Sequence, residues 1–203
     1  MEQLLPIGIF LFVLFLLLGS GVWIGLAQQT TVERCIVREL PYTGVSVGWR
    51  WGYGDVPSKR NLVAYNHIHH IGQGVLSDMG GIYCLGRSPG TRLCSNRIHD
   101  VLSYSYGGWG LYTDEGSTGI LMENNVVYRV KDGAFHQHYG RDNVLRNNVL
   151  ALSASLGQLR RSREEEHISF NAEQNLIYAH GVPMLGGNWS NGNFKLDRNC
   201  YWD

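Results

Sequence analysis

Between His67 and Tyr139 the chain concentrates side chains able to donate protons, accept them or hold a ligand. Six of its eight histidines fall there, in His67-Ile68-His69-His70, His99 and His136-Gln137-His138. Asp78, Asp114 and Glu115 lie in the same window, among Tyr83, Trp109, Tyr112 and Tyr139. Paired carboxylates beside aromatic rings suit glycosidic cleavage. One carboxylic acid protonates the leaving oxygen, the other carboxylate acts as nucleophile or base, and aromatic faces stack on the sugar ring. Asp78 and Asp114 are the candidate pair, with Glu115 as the substitute. Tyr83, Trp109, Tyr112, His136, His138 and Tyr139 are the candidate sugar contacts. A structural role competes with this one, because Asp78 and Asp114 could equally cap loop amides beside Gly80 and Gly116. The histidines predict no metal site: His-x-His on a strand turns two rings to one face, and no third ligand stands at a familiar spacing. No cofactor is expected.

Residues so far apart in sequence share a site only if the backbone returns repeatedly to the same place, and a repeat provides that return. Asn followed by an aliphatic recurs as Asn66-His67-Ile68, Asn96-Arg97-Ile98, Asn124-Asn125-Val126 and Asn147-Asn148-Val149. Weaker copies are Cys35-Ile36-Val37, Gln174-Asn175-Leu176 and Arg198-Asn199-Cys200, at steps of 23 to 31 residues. A second ladder runs Gly44-Val45-Ser46-Val47, Gly81-Ile82-Tyr83-Cys84, Gly110-Leu111-Tyr112-Thr113 and Gly133-Ala134-Phe135-His136. Period-two alternation sends Val45, Ile82, Leu111 and Ala134 to one face and Ser46, Tyr83, Tyr112 and Phe135 to the other. Asp114 then shares an outward position with Leu85 and Gln137, and His136 counts with the inward-pointing Cys84 and Thr113.

Short strands joined by Asn and Gly corners predict an all-β fold, a right-handed parallel β-helix of about six to seven coils, with equivalent residues ~4.8 Å apart in successive coils. Ile68, Ile98, Val126, Val149 and Leu176 form the expected inward column. The corner asparagines stack outside it, their amides satisfying backbone groups of the adjoining coil. Asp78 and Asp114 would then project from adjacent coils onto one wall.

Composition agrees. Fourteen asparagines and 26 glycines against three lysines favour turns over long exposed helices. Seventeen basic and 17 acidic residues leave a net charge of zero, so nucleic acid is not an expected partner. From Leu4 to Ala27 no residue is charged, and Leu11–Leu18 is wholly apolar. Residues 1–30 therefore read as an apolar N-terminal helix serving as signal peptide or membrane anchor, with membrane association through 4–27, and residues 31–203 as the β-helix domain, outside the cytoplasm. The cysteines Cys35, Cys84, Cys94 and Cys200 have no metal spacing and are expected as buried free thiols. Arg160-Arg161-Ser162-Arg163-Glu164-Glu165-Glu166 reads as a solvated loop.

The runs Gly72-Gln73-Gly74-Val75-Leu76-Ser77-Asp78-Met79-Gly80-Gly81-Ile82-Tyr83, Pro89-Gly90-Thr91 and Asn96-Arg97-Ile98-His99-Asp100 resemble the right-handed parallel β-helix proteins of bacterial polysaccharide utilisation. Gly107-Gly108-Trp109-Gly110-Leu111-Tyr112-Thr113-Asp114-Glu115-Gly116-Ser117 and His136-Gln137-His138-Tyr139-Gly140 continue the likeness. The nearest named group is glycoside hydrolase family 141, with fucosidase and xylanase activities. The resemblance covers residues 31 to 203 and implies hydrolysis of a polysaccharide or oligosaccharide at the wall carrying Asp78 and Asp114. Members of that group are usually longer at both ends, so this chain is expected to lack outer coils of the cleft. A polysaccharide lyase and a noncatalytic carbohydrate-binding surface module are the alternative functions.

Overall fold

The computed structural model describes residues 19–203. They form seven successive turns of chain. The first two turns contain β1 (Val22–Gly25), β2 (Thr31–Glu33), β3 (Ile36–Leu40), β4 (Val45–Gly48), β5 (Leu62–Ala64) and β6 (His67–Ile71). The third contains β7 (Gly80–Leu85), β8 (Arg92–Cys94) and β9 (Arg97–Val101). The fourth and fifth each add a short extra strand: β10 (Trp109–Thr113), β11 (Ser117–Thr118), β12 (Leu121–Glu123), β13 (Val126–Val130), then β14 (Gly133–Gln137), β15 (Gly140–Arg141), β16 (Asn143–Arg146) and β17 (Val149–Ala151). The last two are β18 (Leu159–Arg161), β19 (Phe170–Glu173), β20 (Leu176–Tyr178), β21 (Leu185–Gly187), β22 (Lys195–Asp197) and β23 (Cys200–Trp202).

Like strands of successive turns stack into three seven-stranded sheets, every pairing parallel: β1-β4-β7-β10-β14-β18-β21, β2-β5-β8-β12-β16-β19-β22 and β3-β6-β9-β13-β17-β20-β23. The fold is an all-β parallel solenoid. β1 pairs with β4 from Val22↔Val45 to Gly25↔Gly48, so strand pairing begins ahead of residue 31. The apolar run Leu11–Leu18, and the helix expected there, lie outside the described residues.

Each sheet sends one column of side chains inward. These columns include Ile82, Leu111 and Phe135 from the first sheet, Leu93, Met122 and Leu145 from the second, and Ile68, Ile98, Val127 and Leu150 from the third, all fully buried. Burying each such side chain is worth about 1.5–3 kcal/mol, but the apolar surface of one turn is covered only by the turns above and below it.

The inward column of the third sheet is displaced by one residue from the sequence alignment. Val127, Leu150 and Ile177 continue from Ile98, whereas Val126, Val149 and Leu176 point outward and are partly or largely exposed. The cause lies in the corner. The residue before the ladder position is left-handed in every turn: Arg34, Tyr65, Ser95, Asn124, Asn147, Gln174 and Arg198 have φ between 50° and 58°. Asn tolerates that conformation better than most residues, so Asn124 and Asn147 serve the turn and touch only through an exposed bond, Asn147 Nδ2 to Asn124 Oδ1, while the continuous stack of amides belongs to Asn66, Asn96, Asn125, Asn148, Asn175 and Asn199. Two adjacent asparagines with different duties made the copies look aligned on the first.

The ladder asparagines also sit inside rather than outside. Asn66, Asn96, Asn125, Asn148 and Asn175 are buried. Asn125 shows why burial is tolerated: its Nδ2 donates to Leu93 O at 2.9 Å and to Asn148 Oδ1 at 3.0 Å, while its Oδ1 accepts from the N and Nδ2 of Asn96, both at 3.0 Å.

A one-residue shift corrects the first sheet too. Leu111 pairs with Phe135 and Tyr112 with His136, so Phe135 points inward and His136 outward, with Gln137 inside. Arg161 is fully buried in β18 rather than solvated: its guanidinium packs over Trp189 and Phe194, and its Nε donates to Asn188 O at 2.8 Å. Cys84 and Cys94 are buried, Cys35 and Cys200 exposed, and all four are free.

Candidate functional site

The outer face of the first sheet carries an aromatic layer. Its central ladder is set by register: Ser46, Tyr83, Tyr112, His136 and Arg160 occupy equivalent places in β4, β7, β10, β14 and β18. Such residues repeat at about the spacing between neighbouring strands, which suits ring stacking. Tyr83 and Tyr112 lie 4.3 Å apart between centroids, Trp109 lies 4.3 Å from Tyr112, and Trp109 stacks on His136 at 4.2 Å and 13°. Trp49, just after β4, extends the layer with its centroid 5.7 Å from Tyr83.

Both candidate aspartates meet this layer, from opposite ends of the strands. Asp114 follows β10 and continues its outward alternation. Tyr83 Oη donates to its Oδ2 at 2.5 Å, and His138 Nδ1 lies 3.0 Å from its Oδ1. By register His138, not Gln137, is the counterpart of Asp114 in the next turn. Asp78 precedes β7 in a left-handed conformation, φ 55°. Neighbouring turns pin it: its N donates to Tyr106 O at 3.0 Å, Tyr42 Oη donates to its carbonyl at 2.8 Å, and Tyr112 Oη donates to its Oδ1 at 3.0 Å.

This packing sets the proton affinities. Burial pushes the Asp78 carboxyl up to about 6, reinforced by the negative charge of nearby Asp114 and opposed by the Tyr112 hydrogen bond. His138 is raised by its bond to Asp114. Burial holds His136 well below the ordinary imidazole range, leaving it neutral. Burial also raises Tyr83 and Tyr112, which stay protonated donors.

Above the two aspartates is a cavity of about 580 Å³. Asp78, Asp114, Glu115, Tyr83, Trp109, Tyr112, His136 and His138 all line it. Of the residues proposed from sequence only Tyr139 stands off this lining; it reaches the site through its Oη, which donates to Glu115 Oε2 at 3.1 Å.

This chain is similar in structure to a solved glycoside hydrolase. The superposition has a TM-score of 0.55 at 27% identity, over 64% of this chain and 22% of that one. This chain therefore corresponds to a minor part of that enzyme's length. No family model matches the chain, and no curated protein does.

Several lining residues were not anticipated: Trp49, Trp51, Tyr42, Tyr106, Arg160 and Ser162. A signal for the tryptophans existed in Gly48-Trp49-Arg50-Trp51-Gly52, which leaves β4 at the level where β10 leads to Asp114. Their loop closes onto the Asp114 turn through Gly52 N donating to Glu115 O at 3.1 Å. Gly116 makes room for that approach, since a Cβ there would stand 2.3 Å from Gly52 O at a φ of 78°. Trp49 Nε1, Trp109 Nε1, His136 Nδ1 and Arg160 Nε are buried and have no hydrogen-bond partner within the protein. Leaving a buried donor unpaired costs about 1–3 kcal/mol. The two indole nitrogens and Arg160 Nε bear such a cost beside the cavity, and none of these atoms is itself open to it.

The third sheet assembles a separate polar group. His67 and His69 project from β6 on one side, and His99 of β9 lies in register with His69. The third imidazole that spacing along the chain does not reveal is supplied by the next turn.

Proposed function

We propose that this protein hydrolyses glycosidic bonds of a polysaccharide or oligosaccharide in the cavity above β7, β10 and β14. The carrying observation is the unlike pair Asp78 and Asp114. Asp78 keeps its proton to about pH 6, as a general acid must, and is held by the hydroxyl of Tyr112. Asp114 sits in a different setting, one carboxylate oxygen accepting from Tyr83 and the other facing His138. Asp78 would protonate the departing glycosidic oxygen while Asp114 attacks the anomeric carbon or draws a proton from water. Glu115, at the rim, is the substitute for Asp114. Trp49 and the exposed Trp51 offer ring faces to a pyranose, while Trp109, Tyr112 and His136, stacked on one another, present edges to the cavity. The likeness to a solved glycoside hydrolase supports this reading, and an exported location, as expected from residues 4–27, would bring the cavity to such substrates.

Arg160 favours a second reading. A guanidinium in the lining could neutralise a uronate, as a polysaccharide lyase requires.

Digestion of a glycan panel by wild type, Asp78→Asn and Asp114→Asn decides among these. Hydrolysis predicts new reducing ends without ultraviolet absorbance, and a loss of about 10²–10⁴-fold in rate in each variant. Products absorbing in the ultraviolet would indicate the lyase. Binding without product release, equal in wild type and Asp78→Asn, would indicate a carbohydrate-binding module. Full activity in both variants would overturn the assigned pair.

A further inference from the structure

On the third sheet, away from the aspartates, three imidazoles meet. Ile68 points inward, so His67 and His69 flank it on the outer face, and the β6–β9 register sets His99 beside His69. One ring nitrogen from each of the three lies within 4.8 Å of the other two, and His67 Nε2 stands 2.8 Å from His99 Nε2. Nitrogens bound tetrahedrally at 2.0–2.1 Å to one ion are separated by about 3.3 Å, so only small side-chain movements separate this cluster from a coordination sphere. His69 would rotate most, because its ring is stacked on His99 at 13°, which runs their in-plane lone pairs side by side.

The support behind the cluster has the form of a metal site. Asp100 follows His99 with a left-handed φ of 53°, which brings its carboxylate to the same side as the preceding ring. His99 Nδ1 stands 2.6 Å from Asp100 Oδ2, and Arg129 from the next turn holds both carboxylate oxygens, Nε to Oδ1 at 2.8 Å and Nη2 to Oδ2 at 2.7 Å. A proton shared with that carboxylate sits on Nδ1 and leaves the Nε2 lone pair directed at His67. Carboxylate–histidine pairs of this kind orient ligating imidazoles and raise their basicity. Tyr128 stacks on the other face of His99 at 4.7 Å, restricting ring rotation.

We propose that His67, His69 and His99 bind one divalent transition-metal ion, zinc foremost, with Asp100 and Arg129 positioning His99. Three imidazoles suit zinc, copper or nickel over magnesium or calcium, which prefer oxygen. His67 and His69 are only half-buried, so the ion has a path from solvent, and three protein ligands leave a fourth position for water or another donor. The site is independent of the hydrolytic reading, since no residue of it lines the Asp78 cavity. His70, His99 and Asp100 form an overlapping group that could compete for the ion.

An untagged preparation, stripped with chelator and dialysed, is titrated with Zn²⁺ by calorimetry and with Co²⁺ by visible absorption. The expected result is one ion per chain and the intense d–d bands of tetrahedral Co²⁺. His67→Ala/His69→Ala loses both signals while keeping the metal-free melting temperature of wild type; if that double variant is destabilised, His67→Gln alone gives the same readout. Asp100→Asn weakens binding about 10–100-fold, and His70→Ala leaves it unchanged. Absence of stoichiometric binding by wild type, undiminished binding by the double variant, or loss confined to His70→Ala would overturn the assignment.

Discussion

Two in-register stacks run along this solenoid and come to opposite ends. At the corner between the second and third sheets the buried asparagines repeat turn after turn, and Asn96, Asn125 and Asn148 each donate and accept along the stack. On the outer face of the first sheet the stack is Ser46, Tyr83, Tyr112, His136 and Arg160, edged by Asp78 and Asp114, and four buried nitrogens there lack a protein partner. The difference is chemical. An amide carries donor and acceptor together, so a column of identical amides satisfies itself. Carboxylates only accept when ionised, and indole and guanidinium nitrogens only donate. The same register thus yields cohesion at the corner and unspent hydrogen-bonding capacity on the wall.

Converting the corner to the chemistry of the wall should be the most damaging change. Asn125→Asp removes the donor to Leu93 O and Asn148 Oδ1 and places a charge against two acceptors. We expect a loss of about 3 kcal/mol or more in denaturant unfolding at neutral pH, from an uncompensated buried acceptor. The loss should shrink in acid, where a protonated carboxyl regains a donor, whereas Asn125→Ala should cost a similar amount at every pH.

The wall should respond in the opposite sense. A carboxyl whose native pKa is raised from 3.8 to about 6 binds more protons folded than unfolded. Its contribution to stability is therefore present in full below about pH 4, is lost as pH rises to about 6, and does not return above that. Asp78→Asn removes the ionisable group and retains a residue that tolerates φ 55°. It should gain about 2 kcal/mol of stability at pH 8 and nothing at pH 4. A melting-temperature series across that range checks this, and equal effects at both ends would refute the raised pKa.

A smaller effect is expected at Tyr112→Phe, which removes the hydrogen bond that lowers the Asp78 pKa. The alkaline limb of the pH–rate profile should move up by about one pH unit, the equivalent of one hydrogen bond to a charged group. The least effect should come one residue away from the most sensitive corner position. Asn124 occupies the left-handed site, φ 58°, and its side chain is exposed. Asn124→Gly should change stability by no more than about 1 kcal/mol, since glycine accepts that conformation freely and only the exposed bond from Asn147 Nδ2 is lost. A large loss there would mean that the turn and the ladder are not separable.

The coil count, the parallel stacking and the amide ladder were legible because each turn repeats the same demands, and a repeated demand leaves a repeated residue. The register was legible only to within one position. In Asn124-Asn125 and Asn147-Asn148 two different demands select the same amino acid, so the pattern does not say which copy stacks; burial of Val127 and Leu150, against the outward Val126 and Val149, does. A similar slip hid the inward side chain of Phe135 and the outward ring of His136. Arg160 carried too little local signal to be assigned to the wall, the Trp49-Arg50-Trp51 run pointed to it only through its place after β4, and the charges around Arg161 disguised a buried side chain.

What the amino-acid order determined by itself was the kind of object: alternation, turn residues and spacing are local properties, and they specify short strands returning every 23 to 31 residues. Which side chains meet was decided by stacking. The approach of Asp78 to Asp114, with the proton affinity that follows, and the arrival of His99 beside His67 and His69 depend on loops of unequal length closing so that separate turns align. Coulomb interaction, desolvation and coordination act over a few ångströms of space, and only the packed turns convert separations of 30 or more residues into such distances.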